Sequence, residues 1–270
     1  MERFVAEIAL RDVRKTFGRG RDAVTALDGC TFTVPDGEFV TLLGPSGCGK
    51  TTALDLVAGF TASTAGRVTV GGREVTRPGP ERAVVFQDSA LFPWLRVEDN
   101  IAFGIRMAGR PAREIRERVD RLLERVGLTE FRRRYPAELS GGMRQRVSLA
   151  RVLALDSAVL LMDEPFGALD AQTRGLMQEF LTGIWERDRR TVLFVTHDLD
   201  EAVFLADRVL VMTARPGRIK QELQVDLPRP RAPDIMATPR FHALRDEIRR
   251  LVRDEAIRTM RPLATERGAS

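Results

Sequence analysis

Cysteine is scarce. The 270 residues carry two, Cys30 and Cys48, in neither a paired-thiol nor a metal-ligand spacing, so a disulfide framework has no support and a reducing cytoplasm is the expected home. Long apolar runs are missing as well. The best of them, such as Ala158 to Met162, are strand-sized, far short of the roughly 18 to 20 residues of a spanning helix, so the chain is not expected to cross a membrane itself. Residues 1–15 mix charged and apolar side chains without the uninterrupted apolar segment of a signal peptide, which speaks against secretion. A one-signed charge field is also absent. The formal charge is +5, but arginines alternate with acids, as in Arg113-Glu114-Ile115-Arg116-Glu117-Arg118, the pattern of solvated helix faces and not of a nucleic-acid stripe. What is present, 43% hydrophobic residues in a chain of this length, suffices for one large domain with a full core, or one with an inserted subdomain.

Short alternating runs, Ala6 to Val13 and Thr31 to Val34, punctuated by Gly18-Arg19-Gly20 and Pro35-Asp36-Gly37, predict a small antiparallel sheet before residue 40. Phe39 to Leu43 reads as a buried strand feeding a glycine-rich turn, and Thr51 to Gly59 as a helix with Gly59 near its end. Strand-sized runs recur at Val68 to Val70, Ala83 to Phe86, Val159 to Met162, Val192 to Val195 and Val209 to Met212. Strands alternating with helices imply an α/β fold whose core sheet is mainly parallel, with right-handed crossovers. Between about Leu91 and Leu155 the strand signal vanishes, and Ile115, Val119, Leu122, Leu123 and Val126 recur at helical spacing before Gly127. This predicts a helical subdomain inserted at about 90–155. Beyond the break Leu227-Pro228-Arg229-Pro230, residues Phe241, Leu244, Ile248, Leu251 and Val252 share one helical face, so the expected division is a main domain over 1–235 and a helical tail over 236–270.

Gly44-Pro45-Ser46-Gly47-Cys48-Gly49-Lys50-Thr51, with Thr52 behind it, joins a predicted strand to a predicted helix and fits the P-loop pattern. Its glycines let backbone N–H groups close around phosphates while the helix points its positive end at them. Lys50 is expected to hold the outer phosphates and Thr51 to ligate magnesium. Cys48 reads either as a reactive thiol at a helix start or as a tolerated small loop residue, and the second reading is preferred. Downstream, Val159 to Met162 runs into Asp163 and Glu164, at the strand-end position where open α/β sheets place ligand chemistry. Asp163 is expected to organise magnesium and its water. Glu164 is expected to take the proton of the water that attacks the terminal phosphate. His197, one of two histidines, lies just past the strand ending at Thr196 and is read as a γ-phosphate contact. His242, on the tail, is read as structural.

Leu139-Ser140-Gly141-Gly142-Met143-Arg144-Gln145-Arg146 resembles the signature motif of ABC ATPases, and with Gln87, Asp163, Glu164 and His197 the resemblance spans nearly the whole chain. Taken alone, Ser140 to Gly142 could offer a hydroxyl, backbone N–H groups and a helix dipole to an anion, or serve as a helix N-cap and its turn. The resemblance implies the P-loop ABC ATPase fold, with ATP and Mg2+ as cofactors and two ATPs sandwiched between two copies of the chain. It places Ser140, Gly141 and Gly142 against the γ-phosphate bound by Lys50 of the partner subunit. Gln87 would link magnesium to the transmembrane subunit, and Asp170 in Gly167-Ala168-Leu169-Asp170 matches the loop that couples the two sites. Phe17 stands where the family stacks an aromatic on adenine, yet it reads equally as a core residue of the small sheet. Met143 and Phe17 depart from the commoner residues, and neither departure removes a group needed for hydrolysis.

Pro78-Gly79-Pro80-Glu81-Arg82, Leu91-Phe92-Pro93-Trp94, Glu164-Pro165-Phe166-Gly167 and Arg215-Pro216-Gly217-Arg218-Ile219 together look like the nitrate/sulfonate/taurine importer branch, the taurine type above all. The resemblance implies an ATP-hydrolysing importer subunit, peripheral at the cytoplasmic face of the inner membrane. Its implied partners are a second copy, transmembrane permease subunits and, indirectly, a solute-binding protein, with no nucleic acid. Taurine or another sulfonate is the expected solute; nitrate, bicarbonate or a pyrimidine-type precursor is the alternative. Trp94 is either an anchor for the permease or ordinary packing in the helical insertion. Rival classes remain. ABC ATPases of DNA repair or translation usually add a coiled-coil insertion, zinc cysteines or a second cassette, none of which is seen. A nucleotide kinase is disfavoured by Ser140 to Gly142 and His197, and a non-hydrolysing regulatory subunit by Glu164 and His197.

Overall fold

The computed structural model describes residues 5–260. Residues 1–4 and 261–270, the outer ends of the segments expected at 1–235 and 236–270, lie outside the described residues. The N-terminal portion forms β1 (Ile8–Phe17), buried over its first three residues, and β2 (Val24–Val34), which alternates buried and exposed residues over Cys30 to Val34, and β3 (Phe39–Leu43) is buried at every position. Helix α1 (Lys50–Ala58) follows the P-loop and ends on Gly59, whose φ of 81° completes a left-handed C-cap. Next come β4 (Ala65–Val70), β5 (Arg73–Glu74) and β6 (Arg82–Val85). The small sheet has the order β2-β1-β4-β5 and is antiparallel throughout. It therefore recruits two strands from beyond the P-loop helix, whereas the sequence pattern predicts a sheet complete before residue 40.

Helices α2 (Val97–Met107), α3 (Ala112–Arg125) and α4 (Gly141–Leu153) fill the expected helical insertion. The chain then returns to the large sheet through β7 (Val159–Asp163), α5 (Ala171–Asp188), β8 (Thr191–Thr196), α6 (Leu199–Leu205) and β9 (Arg208–Met212). Its order is β10-β9-β3-β8-β7-β6, with β10 (Ile219–Gln224) the antiparallel edge. The other pairings are parallel. The sequence pattern does not announce β10, because among its six residues only Leu223 is buried and no apolar alternation marks it. Two apolar clusters form the core, the smaller one joining the antiparallel sheet to α1. Helix α7 (Pro239–Met260) adds Phe241, Leu244 and Ile248 to the larger cluster. Among the described residues no helix is long and apolar enough to cross a membrane.

Candidate functional site

The parallel sheet points the ends of β3, β7 and β8 to one edge, and the P-loop, Asp163 with Glu164, and His197 lie at or just past those ends. After Leu43 the chain turns so tightly that a Cβ on Gly44 would stand 2.9 Å from the Cys48 Sγ. Gly47 and Gly49 take φ of 75° and 98°, conformations that only glycine adopts without strain. Lys50 opens α1 and is 8% exposed; its ammonium donates to the carbonyls of Gly44 and Pro45 at 2.8 and 3.1 Å. Ser46, Gly47 and Thr51 are exposed along the rim, with Pro45, Gly49 and Thr52 half-buried.

Cys48 is buried, and that burial pushes its thiol up despite the nearby Lys50 ammonium. Burial also pushes Cys30 up, to about 12. The preferred reading of Cys48 as a small loop residue fits this environment. Neither thiol is then reactive near neutrality. Native protein at pH 7.5 should resist a thiol-reactive dye at both cysteines over minutes and label them rapidly once unfolded; fast native labelling at Cys48 would contradict the assignment.

Asp163 closes β7 at 6% exposure, and its carboxyl is pushed up by burial, opposed by a hydrogen bond with Thr51. Glu164 continues the ladder with its N–H on the Val195 carbonyl at 2.9 Å, but at a φ of 45°. This non-glycine left-handed conformation costs on the order of 1 kcal/mol. Because β7 and β8 are neighbours, with Asp163 beside Val195, His197 arrives next to the Glu164 side chain. His197 Nδ1 lies 3.1 Å from Glu164 Oε2, and Gln87 Nε2 donates to the same oxygen at 3.5 Å. Three residues far apart in sequence thus meet at one carboxylate. Beneath them Glu201, buried on α6, accepts from Gln178 at 3.0 Å, and burial pushes its carboxyl up to about 7. Sequence reasoning missed Glu201, since one acid in a short helix carries no pattern.

Phe17 ends β1 at 47% exposure, with the Lys15 ammonium 4.8 Å from its ring centre; it is not a core residue of the small sheet. Ser140 N-caps α4 by accepting from the Met143 N–H at 3.2 Å, with Gly141 and Gly142 as the first helical residues. Asp170 likewise caps α5 through the Thr173 N–H at 2.9 Å, the bond that chiefly lowers its carboxyl pKa. The two caps adjoin: a Cβ on Gly142 would lie 3.3 Å from Leu169 Cδ2. Among the described residues no hydrogen bond or ion pair joins Ser140 to Gly142 with the P-loop of the same chain. Helix α4 instead grips the chain on either side of Gln87, through Gln145 on the Phe86 carbonyl and Arg151 on that of Ala90.

Next along the chain, fully buried Asn100 accepts from the Phe92 N–H and donates to the carbonyls of Phe92, Leu95 and Arg96. It fixes the turn that displays Trp94, which is 71% exposed with its ring 5.6 Å from that of Phe92. Ordinary interior packing is thereby excluded for Trp94.

The family described as ABC transporter matches residues 27–167. The taurine import ATP-binding protein of Rhizobium johnstonii is 49% identical over 234 residues, covering 85% of this chain and 89% of that one. The aliphatic sulfonates import ATP-binding protein of Bacillus licheniformis is 45% identical over 241 residues, covering 89% and 92%. Among solved structures, the dimeric structure of a bacterial ABC transporter cassette superposes with a TM-score of 0.75 at 30% identity, covering 82% of this chain and 99% of that one. With the P-loop, the strand-end acids and the capped Ser140 to Gly142 turn in one α/β frame, this chain belongs to the ABC transporter family, as one of its ATP-hydrolysing cassettes.

Proposed function

We propose that two copies of this chain energise the uptake of a small sulfonated solute, taurine first, through a separate permease at the cytoplasmic face of the inner membrane. The observation that carries the ATPase chemistry is the meeting of Gln87, Glu164 and His197 at the edge where the P-loop opens. A carboxylate there can accept the proton of an attacking water while a histidine one hydrogen bond away holds the terminal phosphate and fixes the geometry. Lys50 and the N–H groups of residues 47–52 take the phosphates, and exposed Phe17 stacks on adenine. Magnesium fits beside them: the Asp163 carboxylate, with its charge penalised by burial, together with Thr51 and Gln87 forms the hard oxygen set such an ion takes. When bound, the ion neutralises phosphate charge.

Among the described residues Ser140, Gly141, Gly142 and Asp170 form no hydrogen bond or ion pair with their own P-loop, and a head-to-tail pair would bring them onto the nucleotide of the second copy. Ser140→Arg puts bulk and charge into that seam. It should cut ATP turnover more than about 10-fold while a single chain still binds ATP. Unchanged turnover would count against the sandwich.

The sulfonate assignment rests on the likeness to sulfonate and taurine import subunits. Trp94, on its braced turn, suits a permease anchor. The decisive experiment is purification of the tagged chain from its native membranes in mild detergent, followed by ATPase assay with the co-purified solute-binding protein and taurine, alkanesulfonates or nitrate. A multi-span permease and stimulation by a sulfonate support the reading. Stimulation by nitrate alone would reassign the solute, and the absence of any membrane partner would overturn the transport role.

A further inference from the structure

The motif Arg215-Pro216-Gly217-Arg218-Ile219 and the C-terminal helix have no part in the chemistry above, yet the structure ties both to the P-loop. β9 and β10 are joined by a hairpin turn closed by the Thr213 N–H on the Arg218 carbonyl at 2.9 Å and by the Thr213 hydroxyl, which donates to the Pro216 carbonyl and accepts the Arg218 N–H, both at 3.0 Å. The turn is pressed against the phosphate loop. Gly217 donates to the Ala26 carbonyl at 2.8 Å, its own carbonyl accepts the Asp28 N–H at 3.2 Å, and a Cβ there would stand 2.0 Å from the Cys48 carbonyl oxygen. Only glycine fits. The contact lays Arg215 over the loop, its Nε donating to the Gly47 carbonyl at 3.4 Å.

The charge of Arg215 is uncommitted. It is exposed and forms no ion pair among the described residues, whereas Arg218, three residues on, is paired with Asp28. An unpaired guanidinium on the rim of a phosphate cradle favours a bound anion. The sheet order fixes which flank it serves: β9 adjoins β3 on the side away from β8 and β7, so Arg215 lies opposite Glu164 and His197. The hairpin also lies along β2, the strand paired with the Phe17 end of β1. Its flank is therefore that of the nucleoside and inner phosphates.

The hairpin has a brace of its own. Glu255 of α7, 2% exposed, accepts the Ala214 N–H at 3.1 Å and pairs with Lys220 at 2.8 Å. Lys220 also donates to the Leu251 carbonyl at 3.0 Å. A carboxylate buried at this depth is retained only with such partners, and here they fix the residue immediately before Arg215.

We propose that Arg215 is a further nucleotide-contact residue, taking an inner-phosphate oxygen of ATP, and that Glu255 of the C-terminal helix is a positioning residue that holds it there through the hairpin. This rests on the P-loop being the ATP site, so Lys50→Ala serves as the control. Displacement of trinitrophenyl-ATP by ATP and by ADP, with no hydrolysis required, reads the affinities. Arg215→Gln should raise the Kd for ATP and ADP alike by about 5- to 10-fold, with Arg215→Lys recovering much of the loss. Glu255→Gln, and independently Lys220→Met, should raise both constants in the otherwise normal chain but add little in the Arg215→Gln background, because they act through that side chain.

Unchanged affinity in Arg215→Gln, beside a clear loss in Lys50→Ala, would sink the contact while leaving the ATP site standing. Loss of ATP affinity without loss of ADP affinity would contradict the inner-phosphate placement. Additive losses in the double variants would remove the positioning role of Glu255. No loss of binding in Lys50→Ala would instead fault the site beneath the proposal.

Discussion

Replacing Glu164 with Gln is expected to lower ATP turnover by at least about 100-fold while leaving ATP affinity within about 2-fold. The amide is isosteric, keeps a hydrogen-bonding oxygen near His197 Nδ1 at the present 3.1 Å spacing, and leaves the backbone at its φ of 45°. It differs in having no basic lone pair for the proton of an attacking water. Binding and closure, which need phosphate contacts and not that proton, should persist, so ATP ought to accumulate in a locked pair of chains. Turnover by phosphate release, and mass by size exclusion with and without ATP, check both halves. Turnover at the normal rate would remove Glu164 from the role of base.

Lys50→Ala acts earlier. Its ammonium is almost enclosed by the loop, held on the Gly44 and Pro45 carbonyls, and it is the one cation inside the cradle among the described residues. Without it the backbone N–H groups remain, but the strongest charge-assisted contact to the outer phosphates is gone. The Kd for ATP should rise by about 10-fold or more. The thermal midpoint of the normal chain should climb with ATP concentration, while that of the variant stays nearly flat at the same concentrations. Affinity equal to that of the normal chain would refute the contact.

Much of the site is legible in the sequence because its residues sit at strand ends, and a strand end is announced locally. A buried run such as Val159 to Met162 leading into Asp163 and Glu164, or Val192 to Thr196 leading into His197, gives both the strand and the direction it faces. The order of strands is not local. That β8 lies between β3 and β7 is what brings His197 to Glu164, and the sequence offers it only as a condition. The backbone turn at Glu164 is equally hidden, since a left-handed glutamate is a strain imposed by its surroundings. Exposure removes the core reading of Phe17 and the interior-packing reading of Trp94, which residue type alone leaves open. The β9–β10 hairpin is illegible for a different reason: its contacts to Ala26, Gly47 and Cys48 span most of the chain, and no short window contains them.

The separation of Ser140 to Gly142 from the P-loop of the same chain bears on inheritance. If each nucleotide is enclosed by one half of each copy, a fault in the seam belongs to the pair and not to the chain that carries it. Where normal and Ser140→Arg chains are made in equal amounts and pair at random, about a quarter of the pairs would be free of the obstruction. A cell bearing both genes should therefore transport far less than half the normal amount, so an alteration that would be recessive in a self-contained enzyme behaves here as a dominant one.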